Sequence, residues 1–187
     1  MEIPFFEGEE PLNEEISAIL RSQYAIFRAS IPKEQSDALR QSDASLETGT
    51  PPYEFIFNWT YKRINPAFIS LYFNSYYYTG GANGIQTCFS VNYNNETGEF
   101  ITLADLLGTD KPGWLEELSQ TVRKQLEETI NIAGDSVLTG MIEEGTTPDE
   151  KNFSVFVFDE TTITLYFQKY QTAPGSFGIL SAIKKRK

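Results

Sequence analysis

Residues 69–93 read ISLYFNSYYYTGGANGIQTCFSVNY, and this stretch decides the fold. Ile69, Leu71 and Phe73 alternate with Ser70, Tyr72 and Asn74 in the first half. Thr87, Phe89, Val91 and Tyr93 alternate with Gln86, Cys88, Ser90 and Asn92 in the second. A period of two is the signature of a strand with one buried and one wetter face. Between the runs lies Thr79-Gly80-Gly81-Ala82-Asn83-Gly84, whose glycines permit backbone angles that a Cβ resists. The stretch therefore predicts strand, glycine turn, strand, with Tyr76, Tyr77 and Tyr78 leading into the loop.

Working upstream, Tyr53–Ile64 predicts a strand that reaches Ala67–Tyr78 through an Asn65-Pro66 turn. Residues 33–52 are polar with few apolar anchors and predict a long exposed connection. Before it, Ile16, Ile19, Leu20, Tyr24 and Phe27 recur at helical spacing, with Asn13 as the expected cap and Pro32 as the stop. Residues 2–6 predict a short strand, placed at a sheet edge by Pro4.

Downstream, Asn94–Gly98 predicts a glycine turn and Phe100-Ile101 a brief continuation. Thr102 and Asp105 form a capping pattern that opens a short helix, Leu103–Leu107. A second long helix is expected over Pro112–Ile132, with Leu115, Leu118, Val122, Leu126 and Ile130 on its stripe and Gly134 at its C-terminal cap. Residues 136–143 predict one or two further helical turns. Phe153–Phe158 and Thr162–Phe167 predict a hairpin turning at Asp159-Glu160. The loop Tyr170–Gly178 (YQTAPGSFG), a strand Ile179–Ile183 and a basic tail Lys184–Lys187 complete the chain.

Strands come in consecutive groups and the helices do not alternate with them. The expected class is α+β, a mainly antiparallel sheet with two long helices packed on one face, in a single domain over residues 1–187. An aromatic share of 14% fits a sheet-rich core. The net charge of -11 argues against nucleic acid and favours a basic partner.

The chain has no histidine and one cysteine, Cys88. These absences exclude Cys/His zinc sites, an intrachain disulfide and hydrolases built on a histidine base. Cys88, inside a strand, reads as a buried structural thiol. Acidic neighbours such as Glu116-Glu117 and Glu143-Glu144 diverge by roughly 100° on a helix and read as solvated faces, not a facing catalytic pair. No cofactor is expected. The glycine loop lacks the Gly-Lys-Ser/Thr ending of a phosphate loop and joins two strands. No apolar run approaches a membrane span. MEIPFFEGEEPLNEE lacks the basic and apolar regions of a signal peptide, so any leader or anchor would have to precede it; without one the expected location is cytoplasmic.

With these elements in order, nearly the whole chain resembles the extracytoplasmic domain shared by lysozyme-sensing anti-sigma factors of the RsiV type and the non-catalytic N-terminal region of PdaC-type peptidoglycan deacetylases. The residues that carry the resemblance are IPFFEGEEPLNEEISAIL, Tyr76–Asn83 (YYYTGGAN), Asn92–Leu106 (NYNNETGEFITLADL) and Phe167–Ile179 (FQKYQTAPGSFGI). Asn83 stands where that family usually has histidine, and Gly175 where an aromatic often follows Ala-Pro.

The resemblance implies a non-catalytic binding or sensing domain outside the cytoplasmic membrane, tethered or exported. Its partner would be a basic protein such as lysozyme, or peptidoglycan. The contacts it points to are Tyr76, Tyr77, Tyr78, Thr79, Gly80, Gly81, Asn83, Tyr170, Pro174, Gly175 and Phe177. The alternative is an accessory domain or carboxylate-dependent enzyme acting on cell-wall glycan, which needs two carboxylates lining one cleft.

Overall fold

A computed structural model describes residues 3–33, 53–80, 82–108, 112–131 and 134–186. The long connection expected at 33–52 falls, apart from Lys33, outside the described residues. Four helices are described, α1 (Glu10–Ser30), α2 (Leu103–Leu107), α3 (Trp114–Ile130) and α4 (Ser136–Gly145). The strands are β1 (Glu54–Asn65), β2 (Phe68–Tyr78), β3 (Ile85–Asn94), β4 (Glu99–Phe100), β5 (Phe156–Phe158), β6 (Thr162–Phe167) and β7 (Leu180–Lys185). The class is α+β as expected. The strands divide into two sheets, however, of order β1-β2-β3-β4 and β5-β6-β7. The chain forms two compact units: Met1–Asn58 with Ser75–Gln86, and Trp59–Asn74 with Thr87–Lys187.

In the first unit, α1 follows the apolar stripe, burying Leu12, Ile16 and Phe27. Phe27 stacks on Phe55 with ring centroids 5.4 Å apart, and Phe27, Ile31 and Tyr77 share a cluster with Tyr53 and Phe55. Two expectations fail at the helix start. Residues 3–6 form no strand, and Asn13 lies inside α1. The cause is one side chain: Asn13 Oδ1 accepts from the Phe6 N–H at 2.9 Å, and Asn13 Nδ2 donates to the Phe6 carbonyl at 2.7 Å. Asn13 thus ties the incoming chain by supplying both partners a neighbouring strand would offer. Pro11, in the first turn, needs no N–H there.

The second unit is built around β5-β6-β7, an antiparallel sheet with Val157 opposite Thr164 and Leu165 opposite Ala182. Phe156, Phe158, Ile163, Leu165 and Phe167 join Leu118, Val122 and Leu126 of α3 in its core, with Leu103 and Ile142. Replacing one of these leucines by alanine would cost about 2–5 kcal/mol.

Helix α3 is shorter than its periodicity predicts. It starts after Gly113, a left-handed residue that excludes Pro112, and stops at Asn131 (φ 50°), not at Gly134. Asparagine tolerates that conformation. Residues 150–153 form a 3-10 turn, leaving only 156–158 as the hairpin's first strand. The first two residues of the basic tail are strand: Lys184 and Lys185 pair with Ile163 and Thr162.

The expectation of one wetter face on β2 and β3 is corrected where those strands lie in this unit. Ser70 and Asn92 are buried. Strand β5 uses one edge for β6; on its other edge the Phe156 N–H donates to Ser90 Oγ and the Phe158 N–H to Ser70 Oγ, while Asn92 Nδ2 donates to the Phe156 carbonyl. Ser70 Oγ in turn donates to Asn92 Oδ1 at 2.6 Å. Side chains that read as a solvated face are instead the partners of a strand edge. On the far edge of the same sheet, Gln125 of α3 accepts from the Ile183 N–H and donates to its carbonyl, both at 2.8 Å.

Candidate functional site

The glycine loop belongs to the first unit. Alternation along β2 sends Tyr77 to the core, where it is 6% exposed with its ring 6.1 Å from Phe27, and leaves Tyr76 and Tyr78 half-buried on the opposite face. Tyr76 folds onto Gly84, where a Cβ would lie 2.2 Å from the ring. Gly80 has φ +89°, a conformation glycine adopts without penalty. Thr79 is half-buried, Gly80 and Asn83 are exposed, and Gly81 lies outside the described residues. Among the described residues of this loop Gly80, Ala82 and Asn83 are exposed, and Tyr76 and Tyr78 are half-buried.

The second loop, between β6 and β7, belongs to the second unit. Gln171 fixes its base: Nε2 donates to the carbonyls of Gly145 and Asn152, each at 3.0 Å, and Oε1 accepts from the Gln168 N–H at 2.9 Å. Thr172 and Ala173 are buried below. Tyr170 stands above this base, 61% exposed and at φ +73°. For a residue with a Cβ that region costs about 1–2 kcal/mol, and such strain concentrates at functional positions. Its ring covers Gly175, where a Cβ would lie 2.3 Å away. The space an aromatic at 175 would need is therefore already filled. Lys169 Nζ stands 5.4 Å from the Tyr170 centroid, and Phe177 is exposed beside a half-buried Pro174. The result is a loop anchored by Gln171 that presents two aromatics and a cation.

A third feature escaped sequence reasoning. A cleft of about 520 Å³ opens where α2, the start of α3 and β7 meet. Its lining includes the apolar residues Leu106, Leu107, Pro112, Trp114 and Leu118 and the charged residues Asp105, Glu117, Lys184 and Lys185. Asp105 is committed to the helix cap, since its Oδ2 accepts from the Thr102 hydroxyl at 2.6 Å and from the Thr102 N–H at 2.7 Å. Those two hydrogen bonds hold its carboxyl below the usual carboxylate range. Glu117 pairs with Lys184 at 3.0 Å. The sequence signal was the alternation of Leu180, Ala182 and Lys184, which continues the strand through what composition presents as a loose tail.

Cys88 is buried beside Tyr72, whose ring centroid lies 4.2 Å from that of Tyr166. Burial pushes the thiol up to about 11, so at neutral pH it is not a nucleophile. Burial likewise raises Tyr72 and Tyr166. Among the described residues no group of three or more His, Cys, Asp or Glu side chains is placed to hold a metal, and no helix is long and apolar enough to cross a membrane.

Two family models match successive parts of the chain. Residues 1–86 match the family described as Deacetylase PdaC, ending at the residue that closes the first unit. Residues 105–183 match the family of proteins of unknown function DUF3298. The peptidoglycan-N-acetylmuramic acid deacetylase PdaC of Bacillus subtilis (strain 168) is 37% identical over 118 residues, which is 63% of this chain and 24% of that protein. The chain thus spans about a quarter of the length of that curated relative. Two solved structures share the fold at 18% identity. A DUF3298 family protein from Pseudomonas aeruginosa PAO1 has a TM-score of 0.64 over 94% of this chain and 75% of that one. A DUF3298 member from Bacteroides fragilis NCTC 9343 has 0.60 over 92% and 66%. A PdaC match over residues 1–86 is thus followed by a DUF3298 match over residues 105–183, and together with the 37% identity these matches support a PdaC-like domain family.

Proposed function

We propose that this chain is a non-catalytic recognition domain of the cell envelope, working outside the cytoplasmic membrane and binding either a basic protein of the lysozyme type or a cell-wall component. The observation that carries the reading is the Tyr170 loop: an exposed tyrosine in a strained backbone, braced on Gly175 and flanked by Lys169 and Phe177. Rigid tyrosines give large contact area at low entropic cost. The acidic balance of the chain speeds encounter with a basic partner. The likeness to part of a peptidoglycan deacetylase supports a cell-wall setting, and the share matched, 24%, supports the role of a module beside a catalytic domain.

The glycan-enzyme alternative draws on Asp105 and Glu117 lining one cleft. Asp105, ionised and engaged by Thr102, is poorly suited to act as a general acid. Calorimetric titration at low salt, with lysozyme and separately with solubilised peptidoglycan fragments, tests the proposal. Binding to one of them, weakened about tenfold or more by Tyr170→Ala, is expected. No heat with either ligand overturns it. Asn83→Ala tests the glycine loop separately, and unchanged affinity removes that loop from the contact surface.

A further inference from the structure

The Asn83–Gly84 pair in the glycine loop carries a chemistry outside the recognition function. Asparagine is thermolabile, because its side-chain carbonyl carbon lies within reach of the next residue's backbone nitrogen. Attack forms a bond from Gly84 N to Asn83 Cγ and breaks the bond from Cγ to Nδ2. The Gly84 amide proton leaves with the departing nitrogen as ammonia. Water then opens the cyclic imide at either carbonyl, leaving aspartate or isoaspartate with one new negative charge. The step needs no oxidant, metal or second protein.

Three conditions favour it: a following residue with no Cβ to obstruct the attack, a side chain in water, and backbone outside a strand ladder. Asn83 meets all three. It is the one asparagine in the sequence that precedes glycine. Both residues lie between the end of β2 at Tyr78 and the start of β3 at Ile85, and Asn83 is exposed.

The fold disfavours the same step elsewhere. Asn74 also precedes a small residue, Ser75, but both lie within β2 and Ser75 is fully buried. Asn65 precedes Pro66, which has no N–H to attack with. The carboxamides of Asn13, Asn92 and Asn95 donate to the carbonyls of Phe6, Phe156 and Pro66. Glycine at 84, by contrast, is demanded by packing, since a Cβ there would lie 2.2 Å from the Tyr76 ring. The contact that seats Tyr76 therefore keeps the reactive pair in place. Isoaspartate would add a methylene to the main chain directly before Gly84 and so disturb that seat.

We propose that Asn83 is a self-modification site, at which the native chain converts to isoaspartate and aspartate and the glycine loop gains a negative charge with time. The chemistry holds whatever the domain binds.

The full chain is incubated in mildly alkaline buffer, with and without urea, and mapped by peptide mass spectrometry and by enzymatic methylation of isoaspartate. In the native protein Asn83 should convert about tenfold or more faster than Asn74, equivalent to about 1.4 kcal/mol in barrier. Asn83→Gln, whose longer side chain must close a larger ring, should abolish most of the methylation signal while leaving circular dichroism unaltered. Three results overturn the assignment. One is an Asn83 that stays intact in the native chain, whatever happens in urea. Another is a different asparagine that converts first. The third is a methylation signal that persists in Asn83→Gln.

Discussion

Gln168 lies across the backbone of Cys88: its Oε1 accepts from the Cys88 N–H at 3.0 Å, and its Nε2 donates to the Cys88 carbonyl at 2.6 Å. One side chain of the second unit thus supplies both groups that a neighbouring strand would have offered to β3 at this point. Gln168→Leu keeps the bulk and strands both backbone groups, so a loss of about 2–4 kcal/mol is expected. Gln168→Glu keeps the acceptor and loses the donor, and should fall between. Urea midpoints at unchanged slope measure both. A leucine variant within about 0.5 kcal/mol of the parent would show that the clamp adds little to stability.

Gly145 and Gly175 look alike in sequence and should respond oppositely to alanine. At Gly145 a Cβ would meet the Gln171 backbone oxygen at 2.1 Å, so Gly145→Ala should destabilise by about 3 kcal/mol. At Gly175 the nearest atoms it would meet belong to the Tyr170 ring, an exposed side chain that can swing away. Gly175→Ala should therefore leave the melting temperature within a few degrees and weaken ligand binding by releasing Tyr170. Thermal melts and calorimetry on the same two variants check the pair.

Stability should fall at both ends of the pH scale for identifiable reasons. Lys62 at 2.9 Å, then the Thr161 N–H, hold Asp159 below its ordinary 3.8. Its contribution is present above that value and lost as pH falls beneath it. Asp159→Asn should flatten the acid limb of a stability–pH curve. At the other end Cys88, raised by burial from 9.0 to about 11, favours the folded state fully below pH 9 and loses that contribution as pH rises through 11. Tyr72, raised by burial, adds to the same limb at higher pH. A Cys88→Ala variant should show a shallower alkaline limb. In the parent, a thiol reagent at pH 8 should label Cys88 only after denaturant is added.

The period-two runs and the Thr102–Asp105 box were legible because they are local: alternation defines β2 and β3, and both halves of the capping box are made as expected. The partners of polar side chains were not. Nothing local distinguishes Asn13 as a cap from Asn13 as a tie to Phe6, or Ser70 and Asn92 on a wet face from the same residues serving β5. The roles of Ser70 and Asn92 depend on a strand 64 to 88 residues away, and that of Asn13 on the path of the chain at Phe6. Tyr77 shows the same limit at the candidate site. The tyrosine triplet reads as one surface cluster, yet the alternation that makes β2 a strand turns its middle member inward. The cleft was hidden because α2, α3 and β7 read as three separate elements, the last half-disguised as a tail.

Both edges of the β5-β6-β7 sheet are met by uncharged side chains, Ser70, Ser90 and Asn92 on one and Gln125 on the other. Sheets are more often guarded by lysine or proline, whose effect is repulsion or a missing donor. Hydroxyls and carboxamides do not titrate in the working range, so acid, alkali or salt should leave this guard in place. Its weakness is chemical ageing. Deamidation of Gln125 would replace a donor by a second acceptor and free the Ile183 carbonyl, opening an edge to strand addition by another chain. Aggregation on long storage should therefore track amide loss at Gln125 more closely than it tracks the pH of the buffer.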